Sequence, residues 1–199
     1  MKIFWIIRLF PLFGGRGKNN YDIIGKFYEE FLRYAGVANV KKGIVLTPHH
    51  ITALFTDLVD IRTNDVIIDG GCGTGAFLIA AMNKLIKGIN SSGMQNKDKA
   101  ISNLKNKQLI GFEKNSTMYA LSISNMLFRG DGKSQIFNCD YFSSQADDEL
   151  HELGEKGIFP TIGFINPPYG GKDNKDNPTK KEIQFLTRYI LLCCMGFIV

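Results

Sequence analysis

The chain has 199 residues and carries 24 Lys and Arg against 19 Asp and Glu, a net charge of +5, which bounds it to one ordinary domain with a modestly basic surface. Hydrophobic residues at 44% and charged residues at 22% match folded globular proteins, and the 21 glycines follow no collagen-like or low-complexity pattern, so disorder is excluded for most of the chain. Four cysteines, Cys72, Cys139, Cys193 and Cys194, form no Cys-x-x-Cys pair and three histidines are too few to complete a zinc site, so no metal is expected and a reducing cytoplasm is the natural setting.

The opening run from Met1 to Phe13 is apolar but falls short of the ~20 residues that cross a bilayer, and Arg8 and Pro11 interrupt it. No membrane association is expected. Gly14 to Asn20 reads as a polar linker, so residues 1–20 are an atypical start outside the folded unit. Over 21–40, Ile23, Ile24, Phe27, Phe31, Leu32 and Tyr34 recur at helical spacing before Gly36, which predicts a short amphipathic helix. The main unit then runs over 41–199. Thr47 is the expected N-cap of its first helix, with Pro48 at N1 and Ile51, Leu54, Phe55, Leu58 and Val59 as the apolar face.

The period changes at Val66. Val66 to Asp69 is a short buried strand, Gly70 to Gly75 a glycine loop, and Phe77, Leu78, Ala81, Met82 and Leu85 resume helical spacing. Residues 87–107 are polar and lysine-rich, which predicts a loop or a solvated helix edge. Leu109 to Phe112 is a second strand ending at Glu113, and Met118, Leu121, Ile123, Met126 and Leu127 mark a helix closed by Gly130. Ile136 to Cys139 is a third strand ending at Asp140; Thr161 to Ile165 is a fourth, running into Asn166-Pro167-Pro168-Tyr169, with a later helix over Ile183 to Leu191. Alternating strands and helices predict a mostly parallel α/β sheet, whose strand ends would bring Asp69, Glu113, Asp140 and Asn166 to one crevice.

Gly71-x-Gly73-x-x-Ala76 meets only the loose form of a dinucleotide fingerprint, and the expected acid about 20 residues on is missing, since Glu113 lies 44 residues after Asp69. An acid instead precedes the glycines. Asp69 would repel a pyrophosphate and attract a cofactor bearing an ammonium and a sulfonium. A Walker-type phosphate loop is excluded, because no Gly-x-x-x-x-Gly-Lys-Ser/Thr occurs.

Taken together, these residues resemble the adenine N6 DNA methyltransferases, most closely the modification subunit of type I restriction systems and related fused enzymes. The resemblance runs from about Tyr21 to Tyr169. Tyr21 to Glu29 is similar to the end of that subunit's helical N-terminal domain, and Leu46-Thr47-Pro48 to its cofactor motif ahead of the first strand. Asp69-Gly70-Gly71-Cys72-Gly73-Thr74-Gly75 resembles the S-adenosylmethionine loop, with Gly70 where the family usually has Pro. The resemblance implies a Rossmann-like core that binds S-adenosyl-L-methionine through Thr47, Asp69, Gly71, Gly73, Gly75, Glu113 on the ribose and Asp140 near the adenine. It assigns catalysis to Asn166, Pro167, Pro168 and Tyr169. The implied partners are adenine-containing duplex DNA with a flipped base, a specificity subunit and a restriction subunit.

Chemistry explains the tetrapeptide. The exocyclic amine of adenine is a poor nucleophile because its lone pair is delocalised into the ring, so acceptors on its two N–H bonds assist it. The Asn166 side-chain oxygen and the Pro167 carbonyl can supply them, held by a restricted Pro-Pro backbone, while Tyr169 stacks on the extruded base. The same tetrapeptide suits glutamine-N5 protein or guanine-N2 RNA methyltransferases, and a remnant that only binds cofactor or partner subunits is a third reading. None of the four cysteines follows a proline, as a cytosine C5 nucleophile would, so Cys72 is read as a packed small residue and His49 and His50 as surface groups. Only 30 residues follow Tyr169, too few to complete the family's sheet, so the core is expected to be truncated at its C-terminal end.

Overall fold

The computed structural model describes residues 47–131 and 135–166. The expected segments 1–20 and 21–40, the helix over Ile183 to Leu191, and Pro167, Pro168 and Tyr169 lie outside the described residues. In chain order the elements are α1 (His49–Leu58), β1 (Ile67–Asp69), α2 (Ala76–Ser91), α3 (Lys97–Lys107), β2 (Leu109–Phe112), α4 (Ser116–Phe128), β3 (Gln135–Phe137), α5 (Ser144–Glu155) and β4 (Ile162–Phe164).

The strands form one sheet in the order β3-β2-β1-β4, and every pairing is parallel. Asp69 stands opposite Gly111 on one side and Phe164 on the other. The chain therefore steps outward from β1 to β2 to β3 and then crosses back to β4 on the far side of β1. In open α/β sheets such a reversal parts the connections at the carboxyl ends of the two central strands, and that crevice is where ligands bind. This is the α/β parallel architecture expected from the sequence.

Parallel strands are covered on both faces, so β1 and β2 are buried at every position. Successive side chains point to opposite faces and sort the core into two clusters. Ile67, Leu109 and Ile136 pack with Leu78, Met82 and Leu85 of α2, Leu104 of α3 and Met126 of α4. Ile68, Ile110 and Phe112 pack with Tyr141, Ile158 and with Ala146 and Leu153 of α5. α1 rests on α2: the Phe55 and Phe77 rings meet edge to face at 6.1 Å, and Lys84 donates to the Thr56 and Val59 carbonyls. A cation on the last carbonyls of a helix satisfies groups with no partner inside it.

Three local expectations are corrected. Thr47 does not cap α1: the N-cap is Pro48, extended at φ −60° and ψ 142°, and no side chain caps the end. The Thr47 hydroxyl is engaged elsewhere, as described below. Residues 87–107 are mostly helical, with only 92–96 outside a helix. α2 continues to Ser91, and α3 follows because Asn96 accepts from Lys99 N at 3.1 Å, Asp98 lies in the first turn, Lys105 and Lys107 in the last, and Leu104 is fully buried. The apolar stripe of α3 is too thin to outweigh its lysines in sequence. The third strand ends at Phe137 rather than Cys139, because Asn138 leaves the ladder to donate to the Glu113 carbonyl. α5 was not anticipated, although Ser143 accepts from Ala146 N as an ordinary N-cap.

If α3 is part of the core, Leu104→Ala should cost about 2–5 kcal/mol, lowering the thermal midpoint by roughly 5–15 °C. Lys99→Ala, on the exposed face of the same helix, should shift it by no more than about 2 °C. Circular-dichroism melts of the two variants check this, and equal midpoints would return the segment to the solvated edge.

Candidate functional site

The glycine loop begins where β1 ends. Asp69 is almost fully buried, and its Oδ1 accepts from Gly71 N at 3.1 Å. Cys72 N donates to the Phe112 carbonyl at 3.0 Å, drawing the loop down over β2, and Gly75 N donates back to the Cys72 carbonyl at 2.7 Å. Room for this descent comes from Gly111: a Cβ there would lie 2.9 Å from Leu78 Cδ1 and 3.1 Å from Cys72 Sγ. Cys72 is thus a packed small residue, and burial pushes its thiol pKa well up. Gly73 and Gly75 adopt left-handed backbone, with φ of 55° and 80°, which favours glycine for steric reasons. Gly75 is also the N-cap of α2.

Gly71 differs. Its φ is not left-handed, and a Cβ added there would meet no atom within 4 Å, as is also true at Gly73. Nothing in the protein itself demands a glycine at Gly71, so the space before it suits a ligand that approaches the backbone closely.

Glu113 closes the frame from β2. Its Oε2 accepts from Gly73 N at 2.9 Å and its Oε1 from Asn115 N at 2.7 Å, which leaves further acceptor capacity on each oxygen for ligand hydroxyls. Two carboxylates on neighbouring strands therefore hold alternate peptides of one loop. The sequence reading missed the third tether: Asn125 of α4, buried, donates to the Thr74 carbonyl at 2.9 Å. An Asn directly before the apolar run Met126-Leu127-Phe128 was the available signal. Asn115 caps α4 by accepting from Thr117 N and Met118 N, so the residue two after Glu113 also starts a helix.

Asp140 stands one step outside this frame. Its Oδ1 accepts from Phe142 N at 3.1 Å in a local turn, and its Oδ2 pairs with Lys114 at 2.8 Å. Across the strand reversal, Asn166 follows β4 and donates from Nδ2 to Thr47 Oγ1 at 2.8 Å. Thr47, Phe55, Phe77, Phe164 and Asn166 line a cleft of about 590 Å³, with the Phe77 and Phe164 rings stacked at 5.1 Å. Asp69, Gly71, Gly73 and Glu113 are thus joined by hydrogen bonds, Gly75 opens α2, Asp140 connects through Lys114, and Thr47 and Asn166 form a pair on the β4 side. His49 and His50 are exposed on α1. Among the described residues no three His, Cys, Asp or Glu side chains form a group that would hold a metal ion, and no helix is long and apolar enough to cross a membrane.

The donor set fits a cationic, hydroxyl-bearing cofactor. Two carboxylates flank open space in front of the glycines, and the loop opens directly into the N-terminus of α2. A phosphate in the same space would face both carboxylates at close range, which Coulomb repulsion disfavours.

This arrangement, a doubly wound sheet with an acid-flanked glycine loop and an asparagine at the neighbouring strand end, is the framework of a Rossmann-like methyltransferase. Residues 19–190 match the model of the N-6 DNA Methylase family, and the chain belongs to that family. It is 33% identical over 183 residues to the type II restriction enzyme and methyltransferase RM.BcgI of Heyndrickxia coagulans, covering 91% of this chain and 26% of that protein. It is 26% identical over 166 residues to the type I restriction enzyme MjaIX methylase subunit of Methanocaldococcus jannaschii, covering 81% of this chain and 25% of the relative. The chain therefore spans about a quarter of the length of these curated relatives. A crystal structure assigned as a modification subunit of a type I restriction enzyme from Vibrio vulnificus YJ016 shares the fold, with a TM-score of 0.57 at 24% identity over 81% of this chain and 32% of that one.

Burial raises the Asp69 carboxyl from 3.8 to about 7; the Gly71 N–H opposes the shift and the Glu113 charge adds to it. The folded protein thus holds a proton that the unfolded chain releases near pH 4. The associated stability is fully present below pH 4, is lost as pH rises to about 7, and stays lost above it. Asp69→Asn should therefore gain up to about 4 kcal/mol over the parent at pH 8 and show no such advantage at pH 4. Urea unfolding midpoints at the two pH values measure the difference, and a constant gap would contradict the assignment.

Proposed function

We propose that this chain carries the catalytic part of an enzyme that transfers a methyl group from S-adenosyl-L-methionine to adenine N6 in DNA, within a restriction-modification system. The observation that carries the reading is the juxtaposition across the β1/β4 reversal: the acid-flanked glycine loop on one side, and Asn166 in the aromatic-lined cleft on the other. A methyl donor and an amine acceptor must meet within reach of each other, and the carboxyl ends of these two strands adjoin.

Asp69, Gly71, Gly73 and Glu113 would hold the cofactor, Asp69 facing its cationic methionine part and Glu113 its ribose hydroxyls, with Gly75, Thr47 and Asp140 nearby in the family's scheme. When bound, the cofactor supplies an electrophilic methyl group on a sulfonium. Asn166 Oδ1 and the Pro167 carbonyl accept the two N–H bonds of the target amine, and Tyr169 stacks on the flipped base. Acceptors oriented before reaction would need no reorganisation as positive charge develops on the amine. A cationic ligand also favours the ionised form of Asp69, so cofactor binding near neutral pH is accompanied by proton release.

Membership of the N-6 DNA Methylase family and relatives named as restriction enzymes favour DNA over the glutamine-N5 protein and guanine-N2 RNA alternatives. Duplex DNA is the proposed substrate, a specificity subunit and a restriction subunit are the proposed partners, and the cytoplasm is the proposed setting.

Methyl incorporation from labelled cofactor into adenine-containing duplex, with and without an added specificity subunit, separates these readings. Asn166→Ala should lower single-turnover methylation by roughly 10² to 10³ while leaving cofactor affinity nearly unchanged. Wild-type turnover in that variant would make the tetrapeptide a structural loop. Glu113→Ala should weaken cofactor binding by about 1.5–3 kcal/mol, one to two decades in Kd by calorimetry, and unchanged affinity would remove Glu113 from the cofactor site.

A further inference from the structure

We propose that Asn125 of α4 is a positioning residue for the cofactor: with its amide set by Arg129, it holds the Thr74 carbonyl and so orients the Gly73–Thr74 peptide for the amino-acid end of the bound cofactor. The proposal rests on the reading of the glycine loop as the S-adenosyl-L-methionine site. It adds a residue that lies outside both the loop and the strand ends.

A primary amide carries a donor and an acceptor of nearly the same shape, so its orientation is fixed only by neighbours that cannot exchange roles. Both neighbours of Asn125 meet that condition. The Arg129 guanidinium only donates, and its Nη1 reaches Asn125 Oδ1 one turn along the helix. The Thr74 carbonyl only accepts, and Asn125 Nδ2 donates to it at 2.9 Å. A flipped amide would set donor against donor and acceptor against acceptor. Asn125 is also buried, so water does not readily replace either contact.

α4 is packed directly against the loop. A Cβ added at Gly75 would lie 3.6 Å from Ser122 Cβ and 3.8 Å from Met126 Cγ, the residues on either side of Asn125 on the helix surface. The same helix is capped by Asn115, two residues after Glu113, whose Oε2 accepts from Gly73 N at 2.9 Å. One helix and its leading turn thus deliver two tethers to successive residues, Glu113 to the Gly73 N–H and Asn125 to the Thr74 carbonyl. The peptide between them, made of the Gly73 carbonyl and the Thr74 N–H, has no hydrogen-bond partner among the described residues. Both residues are partly exposed, and open space lies in front of Gly73. A carbonyl and an N–H complement an ammonium and a carboxylate, which the cofactor carries together on its methionine part. Glu113 is held separately, because its Oε1 accepts from Asn115 N, so its place beside the ribose does not depend on Asn125.

The test uses Asn125→Asp, which keeps the shape and the acceptor for Arg129 but, ionised beside that guanidinium, offers Thr74 no donor. Calorimetry compares two ligands on variants shown to be folded by circular dichroism: S-adenosyl-L-methionine, and 5′-methylthioadenosine, which lacks the ammonium and the carboxylate. Asn125→Asp should raise the Kd for S-adenosyl-L-methionine roughly tenfold and that for 5′-methylthioadenosine by less than about twofold. An unchanged Kd for the full cofactor would overturn the proposal. Equal losses for the two ligands would also overturn it, since they would make Asn125 a brace of the whole fold. Arg129→Met, at a partly exposed position, supplies the same comparison if Asn125→Asp does not fold, with an expected loss of about threefold for the full cofactor alone. In an Asn125→Ala background Arg129→Met should add nothing, because the two residues act as a unit, and a further loss there would take Arg129 out of the relay.

One measurement is independent of any ligand. In the 15N-labelled chain, the Asn125 side-chain NH2 signals, identified by their loss in Asn125→Ala, should exchange slowly with solvent in the parent and faster in Arg129→Met. Exchange in the parent as fast as that of an exposed asparagine would sink the contact itself. A parent chain with a protected NH2 that binds neither ligand would instead refute the glycine loop as a cofactor site, and the proposal would fall with that reading.

Discussion

The site depends on a loop whose peptide N–H groups are held by carboxylates from two adjacent strands. Gly71 N is bound by Asp69 of β1 and Gly73 N by Glu113, the residue after β2. Each acid is placed by parallel pairing, Asp69 opposite Gly111 and Glu113 two residues further along the neighbouring strand. Both acids accept from peptides of the loop itself, so the loop is oriented before any ligand arrives. The same arrangement carries a cost, because Asp69 is buried beside a second carboxylate and is harder to ionise than an exposed acid.

Close packing on one face of the sheet gives the loop its path. Gly111 leaves a space over β2 that Cys72 and Leu78 fill, and Asn125 reaches from α4 to hold the Thr74 carbonyl. A side chain on β2 at that position would meet both neighbours at distances that real Cβ contacts avoid. The core and the site are thus one structure: the helix that buries Phe77, Leu78 and Met82 against the sheet is the helix that the glycine loop starts.

The strand order decides what the loop faces. With β4 on the opposite side of β1 from β2, the end of β4 opens beside the end of β1. The cleft between α1, α2 and β4 brings Thr47 to Asn166 although 119 residues separate them. Membership of the N-6 DNA Methylase family and a fold shared with a restriction modification subunit agree with that layout.

Much of this was legible in the residues alone. The strands at Val66 to Asp69 and Leu109 to Phe112, the glycine loop and the polar residue after each strand follow from short-range rules, because hydrophobic period, turn chemistry and the charge of a residue are local properties. The candidate residues could be named for the same reason. Where local signals were weak, the reading failed: α3 has a thin apolar stripe among lysines, and only the burial of Leu104 against the sheet reveals its role as a core helix. The partners of each side chain were not legible at all. That Glu113 holds Gly73, that Asn125 holds Thr74 and that Thr47 accepts from Asn166 are contacts across 40, 51 and 119 residues. The sequence by itself determined which chemical groups are present and the ends of which elements carry them. Only the tertiary structure decided which of those groups meet, because a hydrogen bond between distant residues exists only once the sheet order and the packing of helices on both faces have set their separation.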